Sequence, residues 1–198
     1  MSNTFFTSDF HFGHANIIKY SARPFANTDE MDTVLIDNLN KDVKSEDTLY
    51  FLGDFLFGMN KEPRAIEYRR RIHRKNIVLI FGNHDEVFRK NKDLAKHLFS
   101  DCYDMLETHV NKKRITLNHF SMNIWNKSHH NAWHLYGHSH GTLPDNPNSL
   151  SFDCGVDTEW PQIGHKKYTP YHFDEVNSIM TKHKVYQQID HHGEHTNA

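Results

Sequence analysis

Short β-prone runs alternate with helical patterns along the first half of the chain. The runs at 3–7, 48–52 and 76–81 predict buried strands. Between them, apolar residues at helical spacing predict helices at 29–43 and 63–74. This alternation is typical of an α/β protein, and the continuous apolar strands indicate a sheet that is covered on both faces.

Strand patterns dominate the second half. The predicted elements there are, in order, a helix at 92–99, strands at 102–110, 114–118, 133–136 and 149–153, and a helix at 173–183. The chain shows no repeat, linker or low-complexity block. We therefore expect one domain over residues 1–186, followed by a polar tail over residues 187–198.

Composition narrows the class of protein. The chain has 198 residues and a net charge of −2, and only 37% of its residues are hydrophobic. Its 14 Phe, 8 Tyr and 3 Trp nevertheless supply core volume, which excludes a disordered chain. Its longest aliphatic run, 77–81, is far shorter than the roughly 20 residues that cross a bilayer. The N-terminus carries no basic leader, and two cysteines suit a reducing compartment. We therefore expect a cytoplasmic protein without a membrane partner or a general attraction to nucleic acid.

Histidine is the outlier, at 18 of 198 residues. Polar clusters follow the predicted strands, at the ends where open α/β sheets bind ligands. These clusters are Asp9-x-His11, Gly53-Asp54, Gly82-Asn83-His84-Asp85, His119 and Gly137-His138-Ser139-His140. By chance, Asp-x-His is expected roughly 1.5 times, Gly-His-x-His about 0.07 times and Gly-Asn-His-Asp less than about 0.01 times. The last two patterns therefore carry a strong signal.

The residue types in these clusters indicate a particular chemistry. Carboxylate, imidazole and amide oxygen ligands together suit divalent ions such as Mn²⁺, Fe²⁺ or Zn²⁺. One carboxylate between two ions can hold them about 3.5–4 Å apart, where they neutralise phosphate oxygens and activate water. A separate histidine is then needed to protonate the leaving oxygen.

In this order, the motifs resemble those of the calcineurin-like metallophosphoesterases. The opening segment, 6–18, is similar to that of the small single-domain phosphoesterases of bacteria and phages, and the resemblance extends over about residues 5–157. It implies an α/β fold in which a two-sheet β-sandwich is flanked by helices, in four layers, with the site formed by loops at one edge.

The resemblance also implies a role for each motif residue. Seven residues would bind two divalent ions: Asp54 between them, Asp9, His11 and His140 at the first, and Asn83, His119 and His138 at the second. His84 would protonate the leaving group, and Asp85 would orient the ring of His84.

Several residues have more than one interpretation. His119 is favoured as the lone ligand because it ends a predicted strand, but four other histidines remain alternatives: His109, His129, His130 and His134. His14 either contacts substrate or caps the next turn, and Arg23 either reaches a substrate phosphate or forms a local salt bridge.

Two segments have interpretations of their own. The basic residues at 69–71 and 74–75 either grip a phosphate backbone or form a solvated helix face. The segment 153–157 is expected to support the metal ligands rather than join them.

The activity that the resemblance implies is hydrolysis of phosphate esters by a hydroxide that bridges two divalent ions. Mn²⁺ is the favoured ion, with Fe²⁺, Zn²⁺ and Ni²⁺ as alternatives, and the expected substrates are phosphomonoesters of small metabolites or nucleotides. One alternative is a phosphodiesterase or nuclease that acts on cyclic nucleotides or nucleic-acid ends. Another is a non-catalytic binding module. Because Gly53-Asp54 lacks the acidic-Arg-Gly continuation of protein Ser/Thr phosphatases, a dedicated protein phosphatase is disfavoured. The sequence leaves the oligomeric state open.

Overall fold

The structure is a computed structural model that describes residues 2–73 and 76–184. Its first sheet has five strands in the order β4-β3-β2-β1-β9, namely β1 (Thr4–Thr7), β2 (Thr48–Phe51), β3 (Asn76–Ile80), β4 (Asp101–Tyr103) and β9 (Tyr171–His172). Neighbouring strands in this sheet are parallel, except that the edge strand β9 runs antiparallel to β1.

The second sheet has four strands in the order β5-β6-β7-β8, namely β5 (Met105–Val110), β6 (Lys113–Asn118), β7 (Trp133–Tyr136) and β8 (Ser151–Asp153). The hairpin β5-β6 is antiparallel, whereas β6, β7 and β8 are parallel. Six α-helices complete the described fold: α1 (Ala15–Tyr20), α2 (Thr28–Asp42), α3 (Lys61–Arg71), α4 (Glu86–Lys90), α5 (Lys92–Leu98) and α6 (Phe173–Met180).

Two apolar cores lie on opposite faces of the first sheet. In one core, the buried faces of α2, α3 and α5 pack against side chains such as Leu49 and Leu79 of the sheet. In the other, Phe6 and Ile80 of the first sheet pack with Leu117 of the second sheet and with α6. The predicted α/β class, with two sheets flanked by helices, is therefore confirmed.

Parallel pairing brings the polar clusters together. Thr7 pairs with Phe51, and Phe51 pairs with Leu79, so β1, β2 and β3 end side by side. In the second sheet, Leu117 pairs with Leu135, so β6 and β7 also end together. The loops that carry the predicted site therefore leave the sheets at one edge.

Some predicted elements differ from the observed ones. The predicted strand 102–110 is two strands that belong to different sheets, because the chain bends at Asp104 between β4 and β5. The short elements α1, α4 and β9 were not predicted. Residues 74–75 and the predicted tail at 187–198 lie outside the described residues.

Among the described residues, no helix combines the length and the apolar character that a membrane crossing requires.

One buried histidine in the second sheet couples the stability of the fold to pH. The ring of His134 is fully buried, its Nδ1 lies 3.0 Å from the carbonyl oxygen of Thr116, and its Nε2 accepts the N–H of Met122 at 3.1 Å. Burial lowers the pKa of His134 to about 4 from 6.5, so the folded protein resists its protonation.

We predict that the free energy of unfolding depends on this residue between pH 6.5 and 4. The unfolded chain binds the extra proton in that window, so this contribution is complete above pH 6.5 and is lost as the pH falls towards 4. The shift corresponds to about 3 kcal/mol. Denaturant unfolding of His134→Asn should therefore show a weaker loss of stability across the window than the wild type. The exposed His129→Asn serves as the control, and parallel curves for the wild type and His134→Asn would refute the prediction.

Candidate metal centre

The loops at the edge of the two sheets bring the predicted ligands into one cluster. Three overlapping groups have ligand atoms within 4.8 Å of one another: Asp9 with His11 and His140, His11 with Asp54 and His84, and Asp54 with His119 and His138. The side-chain oxygen of Asn83 lies 3.1 Å from Nε2 of His119. All seven residues predicted to bind metal, and His84, therefore lie at the same site.

Asp54 is the member that joins these groups. Its Oδ2 lies 3.4 Å from Nε2 of His11, 3.5 Å from Nε2 of His119 and 3.9 Å from Nε2 of His84. Its Oδ1 accepts the backbone N–H of His84 at 2.9 Å. Burial alone would raise the pKa of Asp54, but the hydrogen bond from His119 and the surrounding imidazoles outweigh burial and lower it. Asp54 is thus held as a carboxylate.

Six described residues have a buried side-chain polar atom without a hydrogen-bond partner, and two of them, Asp9 and His11, belong to the predicted ligands. Oδ1 of Asp9 and both ring nitrogens of His11 form no hydrogen bond, although both residues are almost completely buried. Burial raises the pKa of Asp9 to about 7 and lowers that of His11 to about 2. Buried polar atoms without partners are costly. A divalent cation would satisfy Oδ1 of Asp9 and one ring nitrogen of His11, so the donor set fits a metal site.

The backbone of the cluster is strained in a consistent way. Left-handed φ values of 62°, 53°, 58°, 66° and 50° occur at Asp9, His11, Asp54, His138 and His140. Such values cost of order 1–3 kcal/mol at each non-glycine residue, and they persist where the surroundings fix the conformation. Five of the twelve non-glycine residues with positive φ in the described structure belong to this cluster, which is typical of a functional site.

The glycines of two motifs make room for this geometry. Gly53 has a φ of 97°, and a Cβ there would lie 2.5 Å from the backbone nitrogen of Gly82 and 2.6 Å from Nδ1 of His119. A Cβ at Gly137 would lie 2.6 Å from Oδ2 of Asp9. Glycine is therefore required at both positions.

His84 stands at the rim of the cluster rather than inside it. Its side chain is one-third exposed, its ring lies edge-on to that of Phe57, and its carbonyl oxygen accepts a hydrogen bond from Lys61. Burial, followed by neighbouring positive groups, lowers the pKa of His84 despite the opposing charge of Asp54. The ring is thus placed to face both Asp54 and the open cavity.

The structure corrects the expectation for Asp85. Its two carboxylate oxygens accept the backbone N–H groups of Gly82, Asp54 and Phe55, at 2.8, 2.8 and 3.0 Å. No described hydrogen bond joins Asp85 to the ring of His84. Asp85 therefore fixes the loop that carries Asp54 instead of orienting His84.

The structure also corrects one interpretation of Arg23. Nε and Nη2 of this buried side chain each donate to Asp157 at 2.8 Å, and Nη2 donates to the carbonyl oxygen of Asp9 at 2.6 Å. Asp157 in turn lies 2.6 Å from Nδ1 of His140. Arg23 therefore forms the local salt bridge rather than a substrate contact. Within the segment 153–157, which was expected to support the metal ligands, Asp157 contacts the predicted ligand His140.

His14 lines the cavity from the N-cap position of α1, and its side chain does not cap that helix. Its side chain makes no capping hydrogen bond to α1, and its ring stacks on that of Phe57 with centroids 3.8 Å apart. Of the alternatives to His119, His134 is occupied by Thr116 and Met122 in the second sheet. Both ring nitrogens of His119 have hydrogen-bond partners: Nδ1 lies 2.7 Å from the carbonyl oxygen of Leu52, and Nε2 lies 3.1 Å from the side-chain oxygen of Asn83.

An open cavity of about 1180 Å³ covers the cluster. Besides the polar residues described above, its lining includes the apolar side chains Ile17, Tyr20, Phe57, Phe120 and Leu143. These five residues carry no functional signal in the sequence, since an isolated aromatic or aliphatic residue in sequence is indistinguishable from a core residue.

Comparison with known proteins gives the family. The chain is 32% identical over 195 residues to MJ1445, an uncharacterized protein from Methanocaldococcus jannaschii, with coverage of 96% of this chain and 98% of that protein. It is also similar to the crystal structure of AQ665, a protein of unknown function from Aquifex aeolicus, with a TM-score of 0.65, 26% identity, and coverage of 90% of this chain and 100% of that chain. An archaeal phosphodiesterase of known structure is more distant, with a TM-score of 0.46, 16% identity, and coverage of 77% and 83%. No family model matches the chain.

The chain therefore belongs to the family of MJ1445. Its two sheets, the order of its motifs and the convergence of their side chains agree with the resemblance to the calcineurin-like metallophosphoesterases that the sequence carries.

We predict that Asp157→Asn weakens metal binding by about 10–100-fold, because the substitution removes the charged partner that orients His140. Calorimetric titration of metal-free protein with Mn²⁺ measures the change. Asp145→Asn is the matched control, since Asp145 pairs with a different histidine, His183. An unchanged Mn²⁺ affinity in Asp157→Asn would show that this contact has no influence on the metal centre.

Proposed function

We propose that this protein hydrolyses phosphate esters with two divalent ions bound around Asp54. The proposal depends mainly on one observation: Asp54 belongs to two of the groups of metal-binding atoms at once, with His11 on one side and with His119 and His138 on the other. A carboxylate in that position is suited to be shared by two ions.

The division of ligands follows from this arrangement. Asp9, His11 and His140 form one group, and His119 and His138, with Asn83 beside them, form the other. Nitrogen and oxygen ligands without thiolates suit Mn²⁺, with Fe²⁺, Zn²⁺ or Ni²⁺ as alternatives. When bound, the ions would neutralise phosphate oxygens and lower the pKa of a water molecule.

The protein's own residues provide the remaining steps. His84 faces the cavity beside Asp54, so it can protonate the oxygen of the departing group. His14 lies in the same cavity and can donate a hydrogen bond to a phosphate oxygen. Phosphomonoesters of small metabolites or nucleotides remain the substrates expected from the sequence, and the apolar lining of the cavity raises phosphodiesters as a second candidate.

We predict that His84→Ala retains its metal ions but loses about 10²–10⁴-fold in kcat on esters with alkyl leaving groups, which need a proton. Esters of 4-nitrophenol should be affected much less, because their leaving group departs as the anion. Phosphate release and elemental analysis measure the two properties. The exposed His109→Ala is the control, and unchanged turnover of an alkyl ester by His84→Ala would remove His84 from the reaction.

We also predict that Asp54→Asn loses bound metal, because an amide supplies neither the charge nor the second oxygen that two ions share. Elemental analysis of protein purified without chelators should find about two ions per wild-type chain and fewer in the variant. Asp37→Asn, at an exposed position of α2, is the isosteric control. Wild-type protein that carries no metal and hydrolyses no ester with any of several divalent ions would instead support a non-catalytic binding module.

A further inference from the structure

Exposed apolar side chains gather around the cavity. Six large hydrophobic residues are exposed in the described structure, and three of them border this one cavity: Tyr20, Phe120 and Leu143, at 75%, 43% and 44% exposure. An apolar rim around a polar centre is typical of a site for an amphipathic ligand. The rim therefore indicates a substrate that has apolar groups beside its phosphate.

The rim forms two walls on either side of the metal cluster. The Tyr20 wall consists of Ile17, Tyr20 and Phe57, and the ring of Phe57 lies 4.9 Å from that of His84. The ring of His14 lies between Phe57 and Tyr20, with centroids 3.8 and 6.3 Å away. This wall therefore borders the residue that is placed to protonate a leaving group.

The Phe120 wall is the ring of Phe120, which borders the other end of the cluster, and Leu143 is a further apolar residue of the cavity lining. The ring of Phe120 lies 4.8 Å from that of His138 and 5.0 Å from that of His119. A phosphate held at the cluster would thus have an apolar surface on each side, one beside His84 and one beside His138.

In the described part of the chain, histidines are the basic side chains that line the cavity. No lysine or arginine lines the cavity in the described part of the chain. Lys61 is bonded to the carbonyl oxygen of His84, and Arg23 is buried behind the cluster against Asp157. A phosphomonoester carries about 1.5–2 negative charges near pH 7, whereas a diester carries one. Besides the ions proposed above, histidines are available to balance either charge, so the two apolar walls, one for each arm, are the feature that favours the diester.

We propose that the substrate is a small phosphodiester with an aromatic group, such as a nucleobase, on each arm. This proposal rests on the hydrolase function proposed above. The departing arm lies against the Tyr20 wall, where His84 gives its proton to the leaving oxygen as the bond from phosphorus to that oxygen breaks. Water supplies the new oxygen on phosphorus and releases one proton to the solvent, and the retained arm stays against the Phe120 wall as part of a monoester product.

The test uses three esters that share one leaving group. They are bis(4-nitrophenyl) phosphate, methyl 4-nitrophenyl phosphate and 4-nitrophenyl phosphate, whose second arms are aromatic, small and absent. Phe120→Ala should lower kcat/KM about tenfold more on the first ester than on the other two, which is the scale of one lost stacking contact.

The opposite wall gives a different pattern. Because all three esters carry the same departing arm, Tyr20→Ala should lower kcat/KM on each of them by a similar factor, and Tyr20→Phe should restore it. Met105→Ala is the control, since Met105 is exposed but lies outside the cavity. Phe120→Leu provides a second variant if Phe120→Ala does not fold.

The outcomes separate this proposal from the one on which it rests. If Phe120→Ala lowered kcat/KM equally on all three esters, or if neither wall variant changed it, the diester proposal would be overturned while the hydrolase stood. If the wild type hydrolysed none of the three esters with Mn²⁺, Fe²⁺ or Zn²⁺, the proposed hydrolase itself would fall. A loss that is largest on the bis-aryl ester supports both.

Discussion

The site depends on the interaction of one buried carboxylate, that of Asp54, with three imidazoles. Its oxygens lie within 3.9 Å of ring nitrogens of His11, His84 and His119, which come from three different loops. The negative charge of Asp54 attracts these imidazoles when they carry protons or when they share a cation with it, and this attraction holds the three loops together. The carboxylate does not contribute to apolar packing. The left-handed backbone of Asp54 and the glycine before it are the structural cost of this placement.

Other buried carboxylates hold this arrangement without belonging to it. Asp85 accepts backbone N–H groups on both sides of the gap between the loops of β2 and β3, and Asp153 accepts the hydroxyl of Ser139 and the N–H of Gly141. Asp157 connects Arg23 to His140. The acidic residues of the site therefore fall into two sets, one with atoms left free for a cation and one committed to fixing loops.

Sequence patterns predicted the strands and the residues that follow them, because apolar runs define strands and parallel strands end at a common edge. They did not separate β4 from β5, because the change of sheet takes place at a single bend at Asp104 and leaves the β-prone pattern uninterrupted. The partners of Arg23 and Asp85 were also beyond reach, since a charged residue in sequence does not reveal which distant backbone groups or carboxylates it will meet. The aromatic rim was not predicted either, because in the sequence Tyr20 and Phe120 cannot be distinguished from core residues.

The two sheets contribute different parts of the site. Loops of the first sheet carry Asp9, His11 and Asp54, and the Tyr20 wall belongs to the same half, with Ile17 and Tyr20 on α1. Loops of the second sheet carry His119, His138, His140 and the Phe120 wall. The apolar core between the sheets consequently sets the distance between the two halves of the metal cluster and between the two walls. Close packing makes such a core resistant to gradual deformation. The spacing that the site offers to the two arms of a substrate is therefore fixed by residues that never touch the substrate.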